Sequence, residues 1–130
     1  MKFLSLLIAL FCASCLFAQE DIVSNLNSLG GGNYTFEWKK KGLLVQFVKN
    51  GEVYRTDWFI PEEIDKEKLT YIDDEKALGI YCKKGYPECI DRRIFKTKSR
   101  QPYSRTLLKV NDKTTSDAIA AEIGKLIDLE

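Results

Sequence analysis

The sequence of 130 residues contains no histidine. Histidine is the usual general base of Ser-His-Asp and Cys-His catalysis, the commonest metal ligand, and the side chain that titrates unperturbed near neutral pH. Its absence removes the commonest routes to nucleophilic catalysis, zinc binding and pH sensing. We therefore predict that the protein is not an enzyme, with no catalytic residues, no metal ligands and no cofactor.

Long hydrophobic runs are also absent after the first twenty residues, MKFLSLLIALFCASCLFAQE. Lys2, an apolar stretch over residues 3–11 and small residues before Ala18 form the layout of a secretory signal peptide. The stretch is shorter than the about 20 apolar residues that cross a bilayer. We predict a signal peptide over residues 1–18 and a secreted or periplasmic location. Two alternatives stay open: cleavage at another bond, because Leu16 is bulky where small side chains are preferred, and lipidation of Cys15.

Residues 19–130 suffice for one β-rich domain with a single modest core. Loss of Lys2 with the leader lowers the formal net charge from +1 to zero. A neutral chain exerts no general attraction on nucleic acid or anionic membrane. We expect a monomer without specific nucleic-acid binding, whose membrane contacts, if any, are peripheral.

Alternating polarity predicts β-structure over most of the chain. Tyr34, Phe36 and Trp38 alternate with polar residues, which is typical of a core-facing strand. The alternative is that these aromatic residues, followed by Lys39, Lys40 and Lys41, stack bases or sugars on a sheet face. Asn50-Gly51 is a strong hairpin signal, so the strands on either side of it should pair antiparallel. About seven strands are predicted, over residues 34–38, 43–47, 53–60, 69–72, 78–82, 89–95 and 105–110.

A change of period predicts a C-terminal helix over residues 116–129, in addition to a short helix over residues 21–29. Thr114 with Asp117 three residues later resembles a capping box. Apolar residues recur on one face of the C-terminal helix: Ile119, Ile123, Leu126 and Ile127.

About seven strands followed by one amphipathic helix resembles the pleckstrin-homology-like fold. That resemblance implies a small antiparallel barrel, mainly β with α+β character, whose final helix plugs one open end. It also implies a binding or scaffolding module more often than an enzyme. The alternative is another antiparallel sheet covered by a helix.

Cys82 and Cys89 are the only cysteines outside the leader. An even pair in an exported chain predicts a disulfide. A zinc site would need two further ligands from carboxylates alone, and a catalytic redox pair would normally show C-x-x-C. We predict a structural disulfide that staples the fifth strand to the sixth as a hairpin.

Basic residues are concentrated in residues 83–109, where nine lysines and arginines face only Glu88 and Asp91. Such a segment can bind an anionic partner while the molecule stays neutral overall; the alternative is a solvated set of charges that protects a sheet edge. Alternation along the sixth strand places Arg92 with the core and Arg93 outward. The predicted partner-binding residues are Lys83, Lys84, Arg93, Lys98 and Arg100.

Two functional classes follow. The first is a secreted, non-enzymatic module that binds an anionic polymer, an anionic surface or a protein through the stapled basic hairpin. The second is a secreted inhibitor of a hydrolase, in which the constrained loop Lys83 to Glu88 enters the cleft of the target, because a constrained loop loses less entropy on binding.

Overall fold

The computed structural model describes residues 18–129. The predicted leader, apart from Ala18, and the lipidation alternative at Cys15 lie outside these residues. A first helix, α1, occupies residues 18–29, and two short 3-10 turns occupy Pro61–Glu63 and Lys66–Lys68. The remaining elements are β1 (Tyr34–Lys39), β2 (Gly42–Lys49), β3 (Glu52–Phe59), β4 (Thr70–Ile72), β5 (Ala77–Tyr81), β6 (Ile90–Ile94), β7 (Ser99–Tyr103), β8 (Arg105–Lys109) and α2 (Lys113–Leu129).

The strands form two antiparallel sheets within the described residues. One has five strands in the order β1-β2-β3-β6-β7, and the other has three in the order β4-β5-β8. Outside the named strands, an isolated bridge joins Ile64 to Cys82. The prediction of an antiparallel β-rich fold with a C-terminal helix is confirmed, whereas these pairings do not show a closed barrel.

The hairpin predicted at Asn50-Gly51 is confirmed. Lys49 pairs with Glu52, which leaves a two-residue loop. Asn50 and Gly51 both have positive φ, 53° and 78°. Positive φ at both central positions is required by the type I′ turn, whose twist matches that of paired strands.

The strand β7 is an eighth strand that the sequence pattern does not reveal. Its residues, SRQPY, show no alternation of apolar and polar side chains and include Pro102, which cannot donate to a strand ladder. Proline is tolerated on edge strands, and β7 is an edge of the five-stranded sheet. The edge position therefore explains how this segment can be a strand without an apolar pattern.

The helix α2 covers one side of the core, as predicted. Ile119, Ile123 and Leu126 are buried, and α2 packs against β4, β5 and the first 3-10 turn. The predicted capping box at Thr114 is wrong, because the helix begins earlier. Asp112 is the N-cap instead, since its Oδ1 accepts a hydrogen bond from the backbone N–H of Thr115 at 2.7 Å.

The edge strand β1, which lies at the other edge of the five-stranded sheet from β7, is covered by α1. Ile22 and Leu26 of the helix are buried. The Asn27 side chain accepts a hydrogen bond from the backbone N–H of Phe36 at 2.7 Å and donates one to the carbonyl oxygen of Phe36 at 2.9 Å. This exchange satisfies the outward-facing backbone N–H and carbonyl of Phe36, which an edge strand otherwise leaves unpaired. Tyr34 and Phe36 are buried, so their predicted core position is confirmed.

Candidate anion-binding surface

The predicted disulfide between Cys82 and Cys89 is present, with an S–S distance of 2.04 Å and Cα atoms 5.7 Å apart. The predicted hairpin between the fifth and sixth strands is wrong. The strand β5 pairs with β4 and β8, whereas β6 pairs with β3 and β7. The disulfide therefore joins two strand ends that belong to different sheets.

The loop between the two cysteines is exposed from Lys83 to Glu88. The backbone N–H of Lys83 donates to the carbonyl oxygen of Glu63 at 2.8 Å, and its Nζ donates to the carbonyl oxygen of Glu62 at 3.1 Å. Cys89 is held at the other end, because its N–H lies 3.0 Å from the Cys82 sulfur. The loop is thus tethered at its base and free at its tip, where Tyr86 is exposed.

The basic hairpin is formed by β6 and β7, with its turn at residues 95–98. Strand alternation sends successive side chains to opposite faces. Arg92 lies on the core side with the buried Ile90, whereas Arg93 is exposed on the outer face. The structure agrees here with the direction predicted from alternation.

The outer face brings Arg93 and Arg100 together, since they are partners in the β6–β7 register. Arg100 also donates to the carboxylate of Asp91, from Nη2 at 2.6 Å and from Nε at 3.0 Å. This hydrogen bond is the largest cause of the lowered pKa of Asp91. It outweighs burial, which acts in the opposite direction. Asp91 thus offsets part of the charge of Arg100, and Arg93 carries no ion pair within the described residues.

A depression of about 420 Å³ lies on the outer face of the five-stranded sheet. It is lined by basic and aromatic side chains, including Lys39, Lys40, Trp58, Arg93 and Phe95. The indole N–H of Trp58 donates to the carbonyl oxygen of Lys39 at 2.8 Å, which anchors the ring across the β1–β2 turn. The indole also occupies the space that a Cβ at Gly42 would need.

The five predicted binding residues do not form one cluster. Arg93, Arg100 and the Lys98 turn are near one another, but Lys83 and Lys84 lie beyond the opposite end of the hairpin. A five-residue strand separates the two groups by a distance on the order of 15 Å. Only the first group adjoins the aromatic depression.

Sequence reasoning missed Trp58 as a member of this surface, whereas the alternation that directs Arg93 outward also directs Phe95 outward. Alternation from the buried Phe59 places Trp58 on the outer face of β3, so the signal was present in the strand pattern. From the sequence, Lys39 is a candidate only in the alternative in which the stripe of Tyr34, Phe36 and Trp38 binds bases or sugars. Its proximity to Arg93 depends on the order of strands in the sheet, which local patterns do not encode.

No known protein-family model matches the chain, and neither a curated protein nor a solved structure matches it. Within residues 18–129, no group of three or more histidine, cysteine or carboxylate side chains is placed to hold a metal ion. No helix in this part of the chain is both long and apolar enough to span a bilayer. We therefore infer function from the geometry and charge of the surface.

Proposed function

We propose that the protein is a secreted or periplasmic, non-enzymatic binding module that holds an anionic polymer on the outer face of its five-stranded sheet. The supporting observation is the juxtaposition of Arg93, Lys39 and Lys40 with the half-buried Trp58 in one depression. Cations spaced along a sheet suit a chain of repeated negative charges. An aromatic ring between them suits the apolar face of a sugar.

The proposed contact is local because the chain has little net charge. Four cations border the depression, Lys39, Lys40, Arg93 and Arg100, against the single carboxylate Asp91. A patch of this kind attracts a polyanion over distances of about 10 Å at moderate ionic strength. The pleckstrin-homology-like arrangement expected from the element order is part of the proposal, since that resemblance implies a binding module more often than an enzyme.

Heparin, as a sulfated polysaccharide, is the probe that tests this proposal. Isothermal titration should give a binding constant that falls as salt concentration rises, because contacts to a polyanion release counterions. The variant Arg93→Glu/Lys98→Glu should lose binding without a large fall in melting temperature, since both residues are exposed. Asp91 keeps its partner, because Arg100 is unchanged.

The matched control is Lys83→Glu/Lys84→Glu, which changes the net charge by the same amount at the other end of the hairpin. Retained binding in this control assigns the polymer to the outer face. Equal losses in both variants would mean that heparin senses only overall charge and would overturn the proposal. Binding of anionic vesicles or single-stranded DNA in place of heparin would redirect it to another polyanion.

The second candidate, a hydrolase inhibitor, is favoured by the Lys83–Glu88 loop. The loop is exposed, closed by the disulfide and tethered to Glu62 and Glu63. Constrained loops bind clefts with a smaller loss of conformational entropy. A stoichiometric complex with a hydrolase that is lost in Lys83→Glu/Lys84→Glu and retained in Arg93→Glu/Lys98→Glu would identify this function.

A further inference from the structure

A second concave site lies on the other side of the five-stranded sheet. It is a groove of about 610 Å³, where the inner face of that sheet meets β8 of the three-stranded sheet. Four aromatic side chains line it: Tyr34, Phe47, Tyr54 and Tyr103. Sites for small molecules in proteins typically have volumes of about 300–1,000 Å³ and mainly apolar and aromatic walls. The groove has the size and the wall chemistry of such a site.

The same groove is strongly basic. Five cationic side chains line it: Lys49, Arg55, Arg92, Arg105 and Lys109. None of the described residues that line it is acidic. The nearest carboxylate in its floor is that of Asp57, which is completely buried beneath Arg55 and Arg92. Two arginines share this one counter-charge, so the floor retains about one unit of positive charge.

The two floor arginines are fixed in orientation. The guanidinium carbon of Arg55 lies 4.0 Å from the ring centre of Phe47, and that of Arg92 lies 4.1 Å from the ring centre of Tyr103. Both donate to Asp57, Arg55 from Nη2 and Arg92 from Nε and Nη2. No described residue accepts a hydrogen bond from Nη1 of either arginine. A guanidinium has five N–H donors, so donors remain for a ligand.

We infer that this groove binds a small organic acid with a planar aromatic body and a single anionic head. The anionic head lies against Arg55 and Arg92 in the floor. Its single negative charge neutralises the positive charge that Asp57 alone leaves unbalanced. The aromatic body lies against Tyr54 and Tyr103, of which Tyr54 is 45% exposed in the structure. Arg105, exposed at the rim, gives the acid a further donor.

This inference does not depend on the proposed function. Arg92 and Arg93 are neighbours on β6 but face opposite sides of the sheet, so the groove and the outer depression share no lining residue. Substitutions at one site therefore leave the other intact. Failure of heparin binding and failure of acid binding can be distinguished in the same set of variants.

The probe for the groove is 8-anilinonaphthalene-1-sulfonate, an aromatic monoanion. Its neutral match is N-phenyl-1-naphthylamine, which has the same ring system without the sulfonate. Fluorescence titration of the folded protein should show saturable binding of one sulfonate per chain, and the neutral compound should bind about tenfold more weakly, since a hydrogen bond to a charged group is worth a factor of this order. Equal affinities for the sulfonate and the neutral compound would indicate an apolar cavity without an anion site and would overturn the inference.

Two variants locate the probe. Arg105→Gln removes a rim cation that has no ion pair in the described residues, so its fold should be preserved, and affinity for the sulfonate should fall about tenfold. Arg93→Gln makes the same chemical change on the opposite face and should leave the affinity unchanged. Equal effects of the two substitutions, or no saturable binding by the parent protein, would contradict a site in the groove.

Discussion

Arg92 on β6 donates two hydrogen bonds to the carboxylate of Asp57 on β3, from Nε at 2.9 Å and from Nη2 at 3.2 Å. The two residues are partners in the register of these adjacent strands. Asp57 has no solvent exposure, and its carboxylate also accepts hydrogen bonds from Arg55 and from the hydroxyl of Thr106. Thr106 belongs to β8, so this carboxylate links the two sheets as well as two strands of one sheet.

Replacement of Asp57 by alanine should lower the free energy of unfolding by about 3–5 kcal/mol, because it leaves two largely buried arginines without their counter-charge. Urea denaturation of the variant and the parent measures this difference. The control is Asp91→Ala, which breaks an exposed ion pair with Arg100 and should change the melting temperature little. Similar losses in the two variants would show that the buried position of Asp57 has no special importance.

Removal of the disulfide by Cys82→Ala/Cys89→Ala should destabilise the protein by about 2.5 kcal/mol, the chain-entropy value for so short a loop. The bond also joins strand ends from different sheets, so its loss removes a covalent link between the two sheets. Thiol titration of the denatured, unreduced chain from residue 19 onward provides the direct check. Two free thiols in that titration would disprove the bond.

Substitution of Ile123 by aspartate should unfold or aggregate the protein. Ile123 is completely buried on the inner face of α2, and an unpaired charge in apolar surroundings costs several kcal/mol against a total stability of about 5–15 kcal/mol. The control is Ala121→Asp, at an exposed position of the same helix. Thermal melts followed by circular dichroism should show a large loss only for the variant at 123.

The elements that could be predicted from the sequence are those whose signals are local. The turn at Asn50-Gly51 requires particular φ values at two adjacent residues, and the stripe of Ile119 and Ile123 repeats within one helix. The strand β7 was missed because its stability comes from pairing with β6 rather than from its own side chains. The placement of β5 and β6 in different sheets was missed for the same reason, since it depends on which distant strands meet.

The candidate surfaces show the same limit. The opposite directions of Arg92 and Arg93 follow from alternation alone and were predicted. The proximity of Arg93 to Arg100 and Trp58 requires the strand order β3-β6-β7, which the sequence does not contain in any local pattern. Asp57 lies on the same face of β3 as the buried Phe59, but a buried carboxylate is expected only when its partners, Arg55 and Arg92, are already known.

Replacement of Gly124 by alanine should stabilise the protein by up to about 1 kcal/mol. Glycine in a helix interior is less favourable than alanine by this amount because it loses more backbone entropy on folding. Although Gly124 is buried, a Cβ there would meet only the Lys66 side chain, at the ordinary contact distance of 3.5 Å. The melting temperature should therefore rise. A fall would indicate that α2 lies closer to its neighbours than this distance implies.

Tyr34 should make stability depend on alkaline pH. Its hydroxyl donates to the carbonyl oxygen of Lys109 at 3.1 Å, and burial raises the pKa of Tyr34 from 10.0 to about 12. The folded protein therefore keeps this proton at pH values where the unfolded chain has lost it. Stability from the protonated hydroxyl is fully present below pH 10 and is lost as pH rises through about 12.

The variant Tyr34→Phe lacks this titration. It should be less stable than the parent by about 1 kcal/mol near neutral pH, because one hydrogen bond is lost and the Lys109 carbonyl loses its side-chain donor. As pH rises above 10, the difference in stability between parent and variant should shrink. The unfolded parent chain then loses the Tyr34 proton and is stabilised, whereas the variant has no proton to lose at this position. Urea denaturation from neutral pH to about 11 measures the difference, and Tyr54→Phe, at an exposed tyrosine, is the control. A difference that widens above pH 10 would contradict burial of the Tyr34 hydroxyl as the cause.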